Sequence, residues 1–69
     1  MEYERAAREY YIALQDEAYR LDRIREVQVV RQGEASIDLL SKIHDVLTTL
    51  EATKRTYRAL TGRELETDA

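Results

Sequence analysis

The sequence predicts a small α+β domain in which two antiparallel helices pack against a short two-stranded β-hairpin. Three observations lead to this fold class. Apolar residues recur every three or four positions before residue 26 and after residue 38, which is typical of amphipathic helices. Between these limits, apolar and polar residues alternate, as they do in a half-buried strand. Gly33 interrupts the alternation at the point where a hairpin would turn.

The first helix is predicted over residues 2 to about 23. Its apolar residues step by three or four positions and form one stripe: Tyr3, Ala7, Tyr10, Leu14, Ala18 and Leu21. Tyr11 and Ala6 flank this stripe. We therefore expect Tyr10 to lie in the core and Tyr11 to lie towards its edge.

The β-hairpin is predicted around a three-residue loop at positions 31–33. In this register Val29 pairs with Ala35 and Val27 pairs with Ile37, so these four side chains lie on one face. Gly33 then takes the left-handed conformation that such loops require. An isolated two-stranded hairpin is only marginally stable in water, so its apolar face must pack against both helices.

An all-α helical hairpin is the alternative fold. In that case the first helix continues to about Val30, and Gly33 is a turn between two helices. The steps of three from Leu21 through Ile24 and Val27 to Val30 agree with a continued helix. Three β-branched valines disfavour it, but each costs only a few tenths of a kcal/mol. The sequence leaves both folds open.

The second helix has the stronger pattern. Its stripe alternates steps of four and three: Leu39, Ile43, Val46, Leu50, Thr53, Tyr57 and Leu60. Leu40 and Leu47 widen this face. Ser36 or Asp38 is suited to cap its first turn, because each side chain accepts a hydrogen bond from a free backbone N–H. Gly62 is suited to end it.

Residues 1–62 are therefore predicted to form a single helix–hairpin–helix domain, and residues 63–69 a frayed acidic tail. Leu65 lies five positions after Leu60, away from the helical rhythm, so we expect it outside the core. A chain of 69 residues buries a small core, and its usual support is self-association or docking on a larger partner.

Composition argues against an enzyme, a cofactor and a metal site. The chain has no Cys, one His and two Gly residues, so it lacks thiolate ligands and a glycine-rich phosphate loop. His44 is the one imidazole, and Ser41 is the neighbour that it could reach on a helix. That pair lacks a third group to orient the base.

Charge and hydropathy further restrict the class of protein. A net charge of −3 and a pI near 5.1 argue against generic binding to a phosphate backbone. The first residues, Met-Glu-Tyr-Glu-Arg, are charged and contain no apolar run, so we expect no signal peptide and no membrane span. The lack of Cys fits a cytoplasmic protein.

Two sets of residues are candidates for binding. Tyr11 and Tyr19 lie away from the centre of the first stripe, and exposed tyrosines at a helix edge are typical of protein interfaces. Tyr57 is expected in the core. Two groups of basic residues are candidates for a phosphate or an acidic partner: Arg20, Arg23, Arg25 and Arg31, and then Lys54, Arg55 and Arg58. Helix-dipole and i,i+4 pairing also explains these charges.

The order of elements resembles the phage gpW-like head-completion, or head-to-tail joining, family. The matching residues are Ala6, Ala7 and Leu14, the segment Val27-Gln28-Val29-Val30, Gly33, and the helix start Asp38-Leu39 with Ile43 and Val46. The resemblance implies a structural virion protein that joins the portal of a phage head to the tail or to the next connector. It further implies a homo-oligomeric ring, and a location in the virion or the host cytoplasm. Contact with DNA is left open.

A small regulatory helical protein that binds and modulates one protein partner is the alternative function, from a different class. It requires no catalytic residue, and an almost wholly helical chain would favour it over the virion adaptor.

Overall fold

The structure is a computed structural model, and it describes residues 2–65. It contains two α-helices, α1 (Glu2–Gln32) and α2 (Ile37–Thr61), joined by a turn at residues 33–36. The helices pack on each other as an antiparallel helical hairpin, the arrangement that a short connection imposes. Residues 2–65 contain no β-strand. The predicted α+β fold is therefore wrong, and the all-α alternative is the observed fold.

The segment predicted as the first strand is the last part of α1. Gly33 has a φ of 86°, and its N–H donates a 2.9 Å hydrogen bond to the carbonyl of Val29, which caps the helix. The pairing of Val29 with Ala35 and of Val27 with Ile37 is therefore absent. The valines cost a few tenths of a kcal/mol each, and helix propagation adds a backbone hydrogen bond for every further residue fixed. The strand preference of such a short alternation of apolar and polar residues does not outweigh the gain from further helical hydrogen bonds.

Both ends of α2 are capped as the sequence predicts. Ser36 is the N-cap, and its hydroxyl accepts a 3.2 Å hydrogen bond from the amide of Leu39. Gly62 has a φ of 74°, and its amide donates a 2.8 Å hydrogen bond to the carbonyl of Arg58. These caps set the length of α2 and the position of the turn.

The two helices meet along a seam that repeats every 3.5 residues on average. The least exposed positions of α1 include a series that steps alternately by three and four: Glu4, Ala7, Tyr11, Leu14, Ala18, Leu21, Arg25 and Gln28. The corresponding series on α2 is Leu39, Ile43, Val46, Leu50, Thr53 and Tyr57. This spacing is that of coiled-coil packing. The predicted stripe of α2 is confirmed as far as Tyr57, whereas Leu60 is 67% exposed.

A cluster of buried side chains lies at the open end of the hairpin, opposite the turn, while Leu21 and Leu39 are buried elsewhere along the seam. Tyr11, Tyr57 and Leu65 form one cluster, and Ala7 and Leu50 pack against it. Leu65 is only 8% exposed, so the expectation that it lies outside the core is wrong. The helical rhythm has no meaning beyond Gly62, because the chain leaves the helix there and turns back over the cluster.

Two ion pairs accompany this return of the chain. The guanidinium of Arg63 pairs with the carboxylate of Glu4 in the first turn of α1. Arg58 pairs with Glu64, with 3.3 Å between nitrogen and oxygen. Residues 63–65 of the predicted frayed tail are thus placed against the helices. The rest of that tail, residues 66–69, lies outside the described residues.

Candidate protein-binding surface

The two tyrosines predicted to form an interface have different environments. Tyr11 is 9% exposed and belongs to the core, because it occupies the seam position between Ala7 and Leu14. The expectation of an exposed Tyr11 is therefore wrong. Tyr19 is 66% exposed, and the guanidinium carbon of Arg23 lies 5.8 Å from the centre of its ring. Its role in binding stays a prediction.

Tyr10 and Tyr3, which the sequence placed on the core stripe, are instead exposed. Tyr10 is 53% exposed and Tyr3 is 44% exposed. The ring of Tyr3 stacks on that of Tyr57, with the centroids 6.1 Å apart and an angle of 15° between the planes. The placement of Tyr10 in the core is therefore wrong, and that of Tyr57, which is 4% exposed, is confirmed.

The basic residues do not form one patch. The first group lies in the C-terminal half of α1, towards the turn, and consists of Arg20, Arg23, Arg25 and Arg31. The second group lies in the C-terminal half of α2 and consists of Lys54, Arg55 and Arg58. Because the helices are antiparallel, the two groups lie towards opposite ends of the hairpin.

Acidic neighbours offset part of this positive charge. Arg25 pairs with Asp22 at 2.9 Å, and Arg20 pairs with Glu17. The second group lines a shallow depression together with Glu51 and Glu64. Such exposed pairs contribute little stability, but they lower the local potential that would attract a polyanion.

The turn is held by hydrogen bonds on both sides. Besides the two helix caps, the side-chain oxygen of Gln28 accepts a 2.8 Å hydrogen bond from the amide of Ser36. This bond ties the last part of α1 to the residue that caps α2. The turn and the helix ends that flank it therefore have a defined shape before any partner binds.

Exposed aliphatic side chains surround this turn. Val29 and Val30 are 41% and 84% exposed in the last turns of α1, while Ile37 and Leu40 are 82% and 45% exposed in the first turn of α2. We call these four residues the turn-end surface. The sequence did not indicate that these residues are exposed, because the predicted β-hairpin placed Val29 and Ile37 on its buried face. The signal present in the sequence was two adjacent valines beside a helix-ending glycine.

A second exposed feature runs along the side of α1. Its residues are spaced alternately by three and four positions, as in the seam. We call this set the α1 outer stripe: Tyr3, Ala6, Tyr10, Ala13, Glu17, Arg20, Ile24, Val27 and Arg31. Ile24 and Val27 are 43% and 51% exposed. The sequence pattern placed Tyr3 and Tyr10 on the same stripe as Ala7 and Leu14, whereas in the structure the two pairs of residues belong to different stripes of α1.

The described residues offer little other chemistry. His44 is exposed on α2. Across residues 2–65, no group of three or more His, Asp or Glu side chains is placed to hold a metal ion. Neither helix of the described chain is long and apolar enough to cross a membrane.

The fold thus defines a helical-hairpin protein, and its exposed apolar side chains include the turn-end surface and the α1 outer stripe. Compared with known proteins, the chain matches no family model, no curated protein and no solved structure. The function must therefore be argued from the two surfaces themselves.

Proposed function

We propose that this chain is a small, non-enzymatic helical protein that binds and modulates one protein partner through the turn-end surface. The observation that carries the proposal is the exposure of Val30 and Ile37, at 84% and 82%, on either side of one turn. Single exposed aliphatic residues are common, but a group of them around one structural feature favours an interaction site.

The arrangement of these side chains indicates how a partner would bind. They lie on both helices around the turn, so a partner covers them together by receiving the end of the hairpin. Fully burying a valine or isoleucine contributes about 1.5–3 kcal/mol. Arg31, Glu34 and Asp38 are exposed nearby and supply the polar rim that usually surrounds an apolar interface.

The hydrogen bonds of the turn add to this argument. A surface that is ordered before binding loses less conformational entropy when the partner arrives. Gly33, Ser36 and Gln28 all contribute to that order through the bonds described above. The turn end is therefore a better candidate for docking than an equally apolar but mobile loop.

The proposal is tested with a double variant that places charge on the turn end, Val30→Glu with Ile37→Glu. The matched control is Ser41→Glu with Thr48→Glu, which adds the same charge at exposed positions of α2. Each tagged protein is expressed in its native cells, and captured proteins are quantified by mass spectrometry. We expect one protein to be captured by the wild type and the control but lost with the turn-end variant.

The captured protein is then purified and titrated against each form. We expect binding to the turn-end variant to be weaker by a factor of about 100 or more, since charge would be buried in an apolar contact. Equal binding to all three forms, or the absence of any protein that distinguishes them, would overturn the proposal.

The virion-adaptor function implied by the gpW-like resemblance stays a prediction. Its main support was the two-stranded hairpin, and residues 26–32 belong to α1 instead. The parts of the resemblance that still lie on matching elements are Ala6, Ala7 and Leu14 on α1 and the helix start at Asp38-Leu39, with Ile43 and Val46, on α2. We therefore place the regulatory function first.

A further inference from the structure

We propose that the α1 outer stripe binds a second copy of this chain, so that two hairpins form an antiparallel four-helix bundle with their α1 helices in contact. The proposed dimer does not depend on the turn-end surface, whose residues lie outside the stripe. It extends the function from one binding surface to two.

The spacing of the stripe is suited to packing against a second helix. A series that alternates steps of three and four keeps its residues on one side of a helix, where they interlock with a facing helix of the same period. The α1 helix has two such series. The seam is already packed against α2, whereas the outer stripe is mostly exposed, apart from Glu17, which is half-buried, and Tyr3, whose ring stacks on Tyr57.

The stripe is complementary to itself when two α1 helices run antiparallel. In that arrangement Tyr3 lies opposite Val27 and Ala6 lies opposite Ile24. Each of these layers thus combines a larger side chain with a smaller one. The next layer places Tyr10 opposite Arg20, a pairing suited to a cation–π contact.

A shallow apolar groove lies where this fit needs one. It is lined by Tyr19, Arg20, Arg23, Ile24 and Val27. In the antiparallel register this groove faces the N-terminal part of the second copy's α1. The exposed Tyr and Ala residues of that part are the side chains available to fill it.

Charge favours one direction of the second helix. The residues that flank the stripe on its solvent side recur every seven positions: Glu2, Glu9, Asp16, Arg23 and Val30. They are acidic in the first half of α1, and one basic and one apolar residue follow. An antiparallel copy sets Arg23 near Glu9 and Glu2, whereas in a parallel copy these charged positions face the uncharged seam residues of the partner and gain no ion pair. Asp16 lies beside its equivalent in the antiparallel dimer, and that contact lowers the affinity somewhat.

The single hairpin exposes a large surface for its mass. The chain exposes 5600 Å², whereas a compact protein of its mass exposes about 4,500 Å². A standard interface removes about 800 Å² from each partner. None of the side chains in the described part of the hairpin is completely buried. A dimer through the outer stripe would bring the exposed area close to that of an ordinary globular protein.

The oligomeric state is measured by light scattering and analytical ultracentrifugation between about 1 µM and 1 mM, a range that spans weak to moderate dissociation constants. We expect a mass of twice 8.1 kDa at the upper concentrations. Ile24→Glu lies on the stripe and should raise the dissociation constant by a factor of about 30 or more. Val29→Glu is the matched control on the same helix, with a wild-type exposure of 41% against 43%, and should leave the dimer intact.

The direction of the helices is measured by cross-linking, which is straightforward because the natural chain has no Cys. The double variant Ala6→Cys with Ile24→Cys should form covalent dimers readily under mild oxidation, since residue 6 of one copy lies opposite residue 24 of the other. Ala6→Cys alone should not, because its two copies lie far apart in an antiparallel dimer.

Three results would overturn the proposal. A wild-type chain that stays monomeric at about 1 mM lacks the dimer altogether. A dimer that survives Ile24→Glu uses another surface. Rapid cross-linking through Ala6→Cys alone indicates parallel helices. Circular dichroism of each variant checks that the helices persist, and none of these results changes the outcome of the partner-capture experiment on the turn end.

Discussion

The amide of Gly33 donates a 2.9 Å hydrogen bond to the carbonyl of Val29, and this contact ends α1. The bond joins residues four positions apart, as in a helix, and the φ of 86° at Gly33 then directs the chain away from the helix, as in the left-handed capping motif. A Cβ at this position would meet no atom within 4 Å. Any penalty for substitution therefore arises from the backbone conformation and not from a steric clash.

We expect Gly33→Val to lower the free energy of unfolding by more than about 1 kcal/mol, because a β-branched residue is strained at positive φ. Gly33→Asn should cost less, since Asn tolerates the left-handed conformation. Urea unfolding followed by circular dichroism measures both variants at one protein concentration. Equal stability of the two variants would contradict the left-handed cap.

Val30→Ala distinguishes the helix from the strand. Val30 is 84% exposed in α1, so its replacement removes almost no packing and improves helix propensity. We expect the free energy of unfolding to rise by about 0.5 kcal/mol. In a β-hairpin the same change would lower stability, because valine is the better strand former. A loss of stability in urea unfolding would therefore favour the strand.

The fold was predictable from the sequence where the helical spacing of apolar residues continued over many positions without an alternating segment. The stripe of α2 from Leu39 to Tyr57 and both of its caps lie where the sequence placed them. The end of α1 was not predictable in the same way. Alternation over a few residues, with valines at positions 27, 29 and 30, fits a strand and a helix about equally, so the pattern alone does not show that helix propagation continues to Gln32.

The surfaces were less predictable than the fold. On α1 two stripes lie side by side, and the assignment of Tyr10 or Tyr11 to the core depends on which one α2 covers. That choice is made by the packing of the whole hairpin, so the local sequence does not contain it. The burial of Leu65 likewise depends on the path of the chain after Gly62.

Two tyrosines provide a direct test of this assignment. Tyr11→Ala removes a ring that is 9% exposed and contacts the cluster with Tyr57, so we expect a loss of about 3 kcal/mol in the free energy of unfolding. Tyr19→Ala removes a ring that is 66% exposed and should cost about 0.5 kcal/mol or less. Thermal and urea unfolding at equal concentration compare them. Similar losses of unfolding free energy in the two variants would mean that Tyr11 does not lie in the contact between the helices.

Two leucines test whether the chain beyond α2 belongs to the core. Leu65→Ala truncates a side chain that is 8% exposed and packed with Tyr11 and Tyr57, so we expect a loss of about 2 kcal/mol in the free energy of unfolding. Leu60→Ala is the matched control, because Leu60 is 67% exposed within α2. Its replacement should change stability by no more than about 0.5 kcal/mol.

The comparison is made at one protein concentration, because any self-association would add to the apparent stability. A small effect of Leu65→Ala, equal to that of Leu60→Ala, would mean that residues 63–65 are frayed in solution. A large effect confined to Leu65→Ala would show that the return of the chain closes the open end of the hairpin. In that case the Arg63–Glu4 ion pair lies over a buried cluster, and Arg63→Ala should weaken the same cluster by up to about 1 kcal/mol.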